Sequence, residues 1–378
     1  MRARGVAWRL AARCARAAVP VLALLLAGLA VGCGQPGYVA RLGWEQARLL
    51  ARRTPIGTML ARRDLEPGFR ERLELVLSAR LFACDRLGLR VGDIFTTFAE
   101  VDDGATVHVV SAAHRDRLEA YTWWYPVVGR VPYRGFFDRS AAIEASRRLA
   151  AGGYDVDVRP AVAFSTLGWF ADPLLSTTAR SDPVDLVETV IHELFHATLW
   201  VPGAPAFNES AANFAGNRGA VAFFCDGPGA EAARCTRARA AWAATRARAR
   251  VLERLARRLR ALYAAGHPPA VREAIRRALH ASAGRTLEAR GLGRAAELVP
   301  PNNARLLGAL LYATDLDRFE ALAPGDGDPA PAMVALRHAM PGTARPFEVL
   351  RSLAEAKPRG GTPPPGMVVP VTARCGRE

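Results

Sequence analysis

Lysine is almost absent from this 378-residue chain: Lys357 is the only lysine among 51 basic residues, yet the formal net charge is +15. An excess carried by arginine, together with abundant alanine and glycine, is typical of a GC-rich genome rather than of selection for phosphate binding. The densest basic segment, residues 234–260, spreads its arginines around a predicted helix and lacks the pattern of interleaved aromatic residues that stacks on bases. We therefore expect no nucleic-acid partner and interpret this segment as a solvated helix face, with contact to anionic lipid as the alternative.

Long hydrophobic runs are also lacking. The one candidate, residues 17–32, is too short for a comfortable membrane span and follows an arginine-rich start. It ends in Leu29-Ala30-Val31-Gly32-Cys33, which resembles the lipobox of bacterial lipoproteins, although Ala30 stands where leucine is usual. We predict a lipoprotein signal peptide over residues 1–32 and a lipidated Cys33 that anchors the protein to the membrane of the bacterial cell envelope, facing the periplasm or exterior. An ordinary signal peptide or an uncleaved anchor also fits, and all three export the body of the protein.

Cysteine is scarce, with six residues in the chain. Without Cys14 and Cys33, four remain, which allow three disulfide connectivities outside the cytoplasm. They are Cys84, Cys225, Cys235 and Cys375. Cys225 and Cys235 are the nearest pair in sequence, and a free, buried Cys84 in its apolar surroundings is equally compatible, so the pairing stays open.

No internal repeat is evident, and the periodicity of apolar residues changes along the chain. Helical and strand-like patterns predict an α+β fold, in which a small sheet precedes the segment near residue 190 and the C-terminal half is mostly helical. The predicted domain covers residues 33–360, and a Pro/Gly-rich tail follows over 361–378. The predicted strands cover residues 94–98, 106–110, 154–158 and 161–166. The predicted helices cover residues 38–52, 66–87, 140–151, 230–264, 270–280, 303–312, 330–338 and 347–356.

The segment His192-Glu193-Leu194-Phe195-His196 carries the clearest chemical pattern. Histidines at i and i+4 leave one face of a helix and can bind one metal ion. Glu193 can then act as general base on a water bound to that metal. Glu209, thirteen residues after His196, can complete three protein ligands and leave a fourth position open, as in catalytic zinc sites.

The context of this motif favours a metal site over ordinary core histidines. Asp182 is a suitable N-cap and Pro183 suits the first helical position, while the helix that follows is apolar almost all round. Two histidines and a glutamate in a buried helix are costly unless they are paired or bound to metal. The sequence therefore predicts a Zn²⁺ cofactor held by His192, His196 and Glu209.

The order of a sheet, a His-Glu-x-x-His helix and a helix with Asn208-Glu209 resembles the gluzincin metallopeptidases, which include thermolysin and aminopeptidase N. This resemblance implies a zincin-like core, with His192 and His196 as ligands, Glu193 as the base and Glu209 as the third ligand. The gap between His196 and Glu209 is shorter than in either named enzyme. The loop over 202–205 is therefore expected to reverse the chain tightly, and the small residues after Glu209 are expected to let the second helix approach the first.

Several separate blocks resemble a bacterial lipoprotein family described as predicted aminopeptidases. They include Tyr125-Pro126-Val127-Val128-Gly129, the segments over 131–138 and 164–170, Phe207-Asn208-Glu209-Ser210 and Asn302-Asn303-Ala304. The resemblance implies a membrane-anchored, zinc-dependent peptidase with a peptide substrate. Aminopeptidase specificity is favoured. A zinc endopeptidase is the first alternative, and a non-catalytic envelope lipoprotein with a structural metal site is the second, although a structural site has no use for Glu193.

The remaining catalytic groups are less well defined by the sequence. Stabilisation of the oxyanion requires a hydrogen-bond donor, for which Tyr312 is the first choice, with a core tyrosine as its alternative role. The other candidate donors are Tyr133, Tyr263 and His267. The segment over 163–168 is a candidate strand for pairing with the substrate backbone, or else an ordinary core strand. The glutamate that captures the substrate amine in aminopeptidase N-like enzymes is absent, and Asp172 or Glu188 could replace it.

Overall fold

The computed structural model describes residues 50–101, 107–125, 129–136, 138–160, 172–325 and 327–356. Several predictions fall outside these ranges. They concern the signal peptide, Cys33, most of the helix over 38–52, the extended segment over 161–168 and the tail over 361–378.

The described chain begins with a short strand, β1 (Thr54–Pro55), and the helices α1 (Ile56–Leu60) and α2 (Pro67–Asp85). Helix α2 starts where the sequence predicts, because the carboxylate of Glu66 accepts hydrogen bonds from the backbone N–H groups of Gly68 and Phe69. On its inner face, Leu73 and Val76 are fully buried in the main core, whereas Leu81 on the outer face is exposed.

Three small sheets lie in the first half of the described residues, as the α+β prediction requires. Their remaining strands are β2 (Thr97–Ala99), β3 (His108–His114), β4 (Trp123–Tyr125), β5 (Gly129–Val131), β6 (Tyr133–Phe136), β7 (Tyr154–Pro160) and β8 (Leu174–Leu175). Strand β2 pairs antiparallel with β1 and parallel with β8, and β4 pairs antiparallel with β5.

The sheet that matters for the candidate site has the order β6-β3-β7, with both outer strands antiparallel to β3. Its register places Ser111 of β3 between Tyr133 of β6 and Asp157 of β7. Helix α3 (Arg139–Ala151) covers this sheet and buries Ala142 in a small core with Val110. Tyr133 is thereby held at the start of a supported strand.

After the short helix α4 (Ser176–Ala179), the helices α5 (Pro183–Thr198) and α6 (Pro205–Asp226) form the centre of the main core. Asp182 caps α5, since its carboxylate accepts from the N–H of Val184 at 2.9 Å. The two helices approach closely at Gly216, where an added Cβ would lie 2.7 Å from the backbone oxygen of Glu188. The expectation that small residues permit this approach is confirmed.

The C-terminal half is mostly helical, as predicted. Its elements are α7 (Ala232–Ala264), α8 (Pro269–Ala289), a 3₁₀ turn (Ala295–Glu297), α9 (Asn303–Leu311), α10 (Leu316–Leu322), α11 (Ala330–Ala339) and α12 (Pro346–Ala356). Leucines of α7, α8 and α9 form a second core, while α10, α11 and α12 add to the main one.

Some predicted boundaries are wrong. The strand predicted over 94–98 is reduced to Thr97–Ala99, because the chain turns before it and Phe95 has a φ of 56°. Helix α8 continues nine residues beyond the predicted end at His280, and α10 was not predicted. Its seven residues are too few to display a helical period against the flanking loops.

The structure answers two questions about the cysteines that the sequence left open. Cys225 at the end of α6 forms a disulfide with Cys235 in α7, with a Cα–Cα distance of 4.8 Å. Cys84 is also disulfide-bonded, so the alternative of a free, buried thiol is wrong. Disulfides of this kind stabilise a folded domain chiefly by restricting its unfolded state.

Among the residues that the structure describes, no helix is both long enough and apolar enough to cross a membrane.

Candidate metal centre

Helix α5 carries both histidines of the motif on one buried face. The Nε2 atoms of His192 and His196 lie 3.1 Å apart, and both residues are less than a tenth exposed. The two rings are nearly perpendicular, with an interplanar angle of 82°. Because the residues are separated by one helical turn, this convergence follows directly from their spacing.

Glu209 on α6 completes a triangle with the two histidines. Its Oε2 atom lies 3.4 Å from the Nε2 atom of His192 and 3.4 Å from that of His196. These three buried side chains form a group that could hold a metal ion.

The short connection between the two helices is held by Asn208, the neighbour of Glu209. Its Oδ1 accepts from the N–H of Val201, and its Nδ2 donates to the carbonyl of Val201, both at 2.9 Å. This pair of hydrogen bonds fixes the tight reversal that the sequence requires. The asparagine of the Asn-Glu pair therefore shapes the loop, while the glutamate turns toward the histidines.

The triangle has the dimensions that a zinc ion requires. For Zn–N and Zn–O bonds of about 2.0–2.1 Å, tetrahedral geometry separates neighbouring ligand atoms by about 3.3 Å. The observed separations of 3.1, 3.4 and 3.4 Å agree with this value. Two imidazoles and one carboxylate are also the ligand types of a catalytic rather than a closed structural site. The residues present fit the ion.

The electrostatics of the triangle also favour a cation. Burial lowers the pKa of His192, but the hydrogen bond to Glu209 and the nearby carboxylates of Glu193 and Glu188 outweigh it and raise the pKa to about 9. Burial raises the pKa of Glu209, but its hydrogen bonds with His192 and His196 outweigh it and lower the pKa to about 2. The carboxylates of Glu188, Glu193 and Glu209 surround two imidazoles, so a bound cation would offset their excess negative charge.

Glu193 has a free oxygen beside this triangle. Its Oε2 atom is buried and has no hydrogen-bond partner among the described residues. The Nδ1 atom of His196 is in the same situation, so the usual acceptor behind a metal-bound histidine is not seen in the described part of the chain. A buried carboxylate oxygen without a donor is costly and is available to a ligand, water or proton.

Two of the four candidate oxyanion donors lie at the triangle. The ring of Tyr312 stacks on His192, with centroids 6.2 Å apart and an interplanar angle of 26°. Although 39% of the Tyr312 surface is exposed, desolvation at its hydroxyl and the charge of Glu209 raise its pKa. Burial and the charge of Glu209 likewise raise the pKa of Tyr133 to about 12. Both phenols therefore stay protonated near neutral pH and can donate hydrogen bonds.

The other two candidates do not take part in this cluster. The hydroxyl of Tyr263 donates to Oδ1 of Asn303 at 3.0 Å, and the charges that act on it come from Arg276 and Asp155. His267 is exposed between α7 and α8. Residue type alone does not show which helix face points toward the two histidines, so the sequence could not separate these two candidates from Tyr133 and Tyr312.

Helix α6 also positions the segment that carries Tyr312. Ser210, next to Glu209, donates to the carbonyl of Leu311 at 2.9 Å and accepts from the N–H of Thr314 at 3.0 Å. Asn213 donates to the carbonyl of Tyr312 at 2.6 Å. These roles could not be predicted from the sequence, because the Asn-Glu-Ser block is their only local signal and it does not show what Ser210 contacts.

The Asn302–Asn303 block holds the other end of α9. Asn302 caps the helix by accepting from the N–H of Arg305 and donates to the carbonyl of Val156 in β7. The backbone N–H of Asn303 donates to Asp155, and its side chain donates to the carbonyl of His114. These bonds attach α9 to the β6-β3-β7 sheet, so Tyr312 and Tyr133 belong to one supported unit.

Residues 37–334 match the model of a family described as "Putative aminopeptidase". The chain belongs to this family. No curated protein and no solved structure shows a significant match to the chain. The matched region contains the whole triangle together with Glu193, Tyr133 and Tyr312, and membership supports peptidase activity in general.

Of the two candidates for capturing a substrate amine in an aminopeptidase of this family, Glu188 lies beside the triangle. It precedes His192 by one turn of α5, and its Oε1 accepts from Nδ2 of Asn217 at 3.2 Å. Burial raises the pKa of Glu188, whereas the charge of His192 acts to lower it. Asp172 is buried before β8, where its carbonyl accepts from the N–H of Phe95.

Trp200 is a further residue at the site, and the sequence did not predict it. Its ring packs edge-on against His196, with centroids 5.7 Å apart. It lies just beyond the end of α5, where it closes one side of the histidine pair. The sequence contains no signal for this role, because the same tryptophan also fits an ordinary helix stop.

Proposed function

We propose that this member of the family is a zinc-dependent peptidase. The observation that carries the proposal is the triangle of His192 Nε2, His196 Nε2 and Glu209 Oε2, with edges of 3.1–3.4 Å, beside a buried and unpartnered oxygen of Glu193. A purely structural site has no use for this carboxylate oxygen. The family supports a peptide as substrate.

In this proposal His192, His196 and Glu209 hold the ion. Bound zinc supplies Lewis-acid chemistry, which lowers the pKa of water toward neutrality and polarises a peptide carbonyl. Glu193 accepts a proton at Oε2 from the attacking water and transfers it to the nitrogen of the leaving amine. Its neighbouring position to His192 keeps it within reach of the reacting atoms without making it a ligand.

Tyr312 and Tyr133 are the proposed donors to the developing oxyanion. Their raised pKa values keep both hydroxyls protonated, so each can donate a hydrogen bond where negative charge appears. Tyr312 remains the first choice, because its ring stacks on that of His192 with centroids 6.2 Å apart. Tyr133, at the start of strand β6, is the second proposed donor.

Aminopeptidase specificity is proposed from the family, with Glu188 as the group that binds the α-amino group and Asp172 as the alternative. A half-buried carboxylate one helical turn from His192 supports Glu188 for this role. A zinc endopeptidase remains the rival specificity, and a non-catalytic lipoprotein with a structural metal remains the rival class. Anchoring through a lipidated Cys33 and location in the bacterial cell envelope remain proposals that rest on the N-terminal sequence.

Metal analysis of the purified protein tests the proposal first. We expect about one zinc per chain in the wild type and in Glu193→Gln, and loss of zinc in His192→Ala. Hydrolysis is then measured on aminoacyl reporter substrates and on N-blocked peptides, with Glu193→Gln as the inactive control. A wild-type protein without zinc would overturn the proposal, and activity on N-blocked peptides alone would replace the aminopeptidase by an endopeptidase.

A further inference from the structure

A cavity of about 790 Å³ opens beside the metal centre. Tyr133 lies in its wall, and Leu311, the neighbour of Tyr312, lies in the same wall. Strands β3 and β6 form one side, helices α7 and α9 form others, and the start of α6 approaches from the Glu209 side. Burial and the charges of Glu209 and Glu193 raise the pKa of Tyr133, so this residue belongs to both the cavity and the metal centre.

The charge of this cavity is opposite to that of the metal centre. Two acidic residues line it, Glu253 and Asp315, and both are engaged: Glu253 accepts from the N–H of Asp315, and Asp315 pairs with Arg318. The arginines in its wall outnumber them six to two. They are Arg130, Arg159, Arg257, Arg260, Arg318 and Arg351. A cavity with this excess attracts an anionic group.

Of these six arginines, Arg159 is the one whose charge acts on the proposed oxyanion donors. It extends from β7, and its Nη1 atom lies over Gly308 of α9, where an added Cβ would come within 2.7 Å of it. Its charge acts on both Tyr133 and Tyr312. Its guanidinium forms no hydrogen bond or ion pair with any residue in the described part of the chain, and Arg159 lines the cavity. Arginine is the side chain best suited to bind a carboxylate through two parallel hydrogen bonds.

We propose that Arg159 binds a carboxylate of the peptide substrate, so that the enzyme prefers short peptides whose C-terminal carboxylate enters the arginine-lined cavity. This inference rests on the proposed peptidase function. The amino end of such a peptide lies toward Glu188, Glu193 and Glu209, and its carboxyl end lies toward Arg159. The volume of the cavity falls within the range of about 300–1,000 Å³ that is typical of sites for small ligands.

An acidic side chain of the substrate is a second source of the same carboxylate. Three peptides separate the two sources: Ala-Ala with a free carboxyl end, Ala-Ala amide, and Ala-Glu amide. Cleavage of Ala-Ala at a kcat/KM about 10- to 100-fold above that of Ala-Ala amide indicates the C-terminal carboxylate, and this is the result expected for one charge-assisted contact. A comparable advantage for Ala-Glu amide over Ala-Ala amide indicates the side chain instead and still supports carboxylate binding by Arg159.

Arg159→Met tests the assignment of the residue. We expect it to abolish most of the preference for Ala-Ala over its amide, while Arg159→Lys retains part of it, because lysine keeps the charge but loses the paired hydrogen bonds. Arg147→Met is the matched control, since Arg147 is an exposed arginine on α3 outside the cavity. The ratio compares two peptides on one sample, so partial loss of folded protein leaves it unchanged.

Gly308→Ala tests the position of the guanidinium without removing it. The added methyl group displaces the flexible end of Arg159, and alanine is favourable in the interior of α9. We expect a partial loss of the preference, between those of Arg159→Lys and Arg159→Met. An unchanged preference in both Gly308→Ala and Arg159→Met would overturn the inference.

Binding provides a readout that does not depend on turnover. Calorimetric titration of Glu193→Gln with Ala-Ala should give a Kd at least about tenfold lower than with Ala-Ala amide, and Arg159→Met should remove the difference. Failure of the proposed function appears differently, as a wild-type protein that hydrolyses no peptide of any length. Equal cleavage and equal binding of Ala-Ala, Ala-Ala amide and Ala-Glu amide by an active wild type would overturn the inference alone.

Discussion

The candidate metal centre has two walls, which the chain builds in different ways. The helical wall consists of His192, Glu193, His196 and Glu209, which come from α5 and α6 and from one continuous stretch of sequence. The tyrosine wall consists of Tyr133 on β6 and Tyr312 after α9, which are far apart in sequence. The first wall is fixed by helical spacing, whereas the second depends on how a sheet and two helices pack.

This difference separates two functions. The helical wall is acidic and has three side chains suited to hold a cation. The cap at Asp182 and the two hydrogen bonds between Asn208 and Val201 set its geometry. The tyrosine wall carries neutral donors and adjoins a cavity rich in arginine. We infer that the helical wall determines whether the protein can act as a peptidase, and that the tyrosine wall determines how fast it reacts and which peptides it accepts.

Removal of the base should produce the largest effect. Glu193→Gln replaces the unpartnered oxygen by an amide that cannot accept the proton, so kcat should fall by about 10²- to 10⁴-fold. Zinc content should stay equal to that of the wild type, because Glu193 is not one of the three converging ligands. Steady-state kinetics with parallel metal analysis check this. A parallel loss of zinc would mean that Glu193 belongs to the ligand set.

Removal of a phenol from the tyrosine wall should produce the next largest effect. Tyr312→Phe keeps the ring over His192 but removes the donor, so kcat should fall by about 10²- to 10³-fold with little change in KM. Tyr133→Phe should have the same kind of effect, and Tyr263→Phe serves as the control because its hydroxyl bonds to Asn303. Equal activity of Tyr312→Phe and the control would assign Tyr312 a packing role.

The close approach of α5 and α6 can be tested without touching a ligand. Gly216→Ala places a methyl group 2.7 Å from the backbone oxygen of Glu188 and 3.2 Å from Cβ of His192, so the helices must separate. We expect a loss of about 1–3 kcal/mol of stability. We also expect zinc affinity to fall by about 10- to 100-fold, because Glu209 moves with α6.

Gly57→Ala is the matched control for Gly216→Ala. It makes the same substitution in helix α1, where an added Cβ meets nothing within 4 Å. Zinc titration against a competing chelator and urea unfolding measure the two effects. If Gly216→Ala binds zinc as tightly as the control, the helical wall tolerates a wider separation than its geometry indicates.

The helical wall could be predicted from the sequence because its signals are local. The spacing of His192 and His196, the cap at Asp182 and the small residues after Glu209 each determine structure within a few residues. The α+β organisation and most helices could be predicted for the same reason, since their apolar periodicity extends over several turns.

The tyrosine wall could not be predicted with the same precision. Nothing within a few residues of Tyr133 or Tyr263 indicates that the first reaches the metal site and the second does not. Their positions follow from the pairing of β6 with β3 and from the attachment of α9 to the sheet through Asn302 and Asn303. Such contacts join distant segments, and a single sequence contains no measure of them.

The support beneath the tyrosine wall should have a pH dependence of its own. His280 in α8 is almost fully buried, and its Nδ1 atom lies 3.2 Å from the carbonyl of Leu298, just before the Asn302–Asn303 block. Its Nε2 atom is buried without a partner among the described residues, so protonation there places a charge without an acceptor. Burial, assisted by the charge of Arg276, lowers the pKa of His280 to about 4.

The sign of the effect follows from the difference between the folded and unfolded states. An unfolded histidine has a pKa of about 6.5, so between pH 6.5 and 4 the unfolded chain binds the proton more strongly, and stability falls as the pH falls. We expect His280 to account for a loss of about 2–3 kcal/mol across this window. In His280→Gln that part of the pH dependence should disappear, whereas the exposed His338→Gln should keep it. Urea unfolding of the three proteins at pH 7 and pH 4.5 measures the difference. An equal change in the free energy of unfolding between the two pH values in all three would show that α8 and α9 support the tyrosine wall without a titrating group.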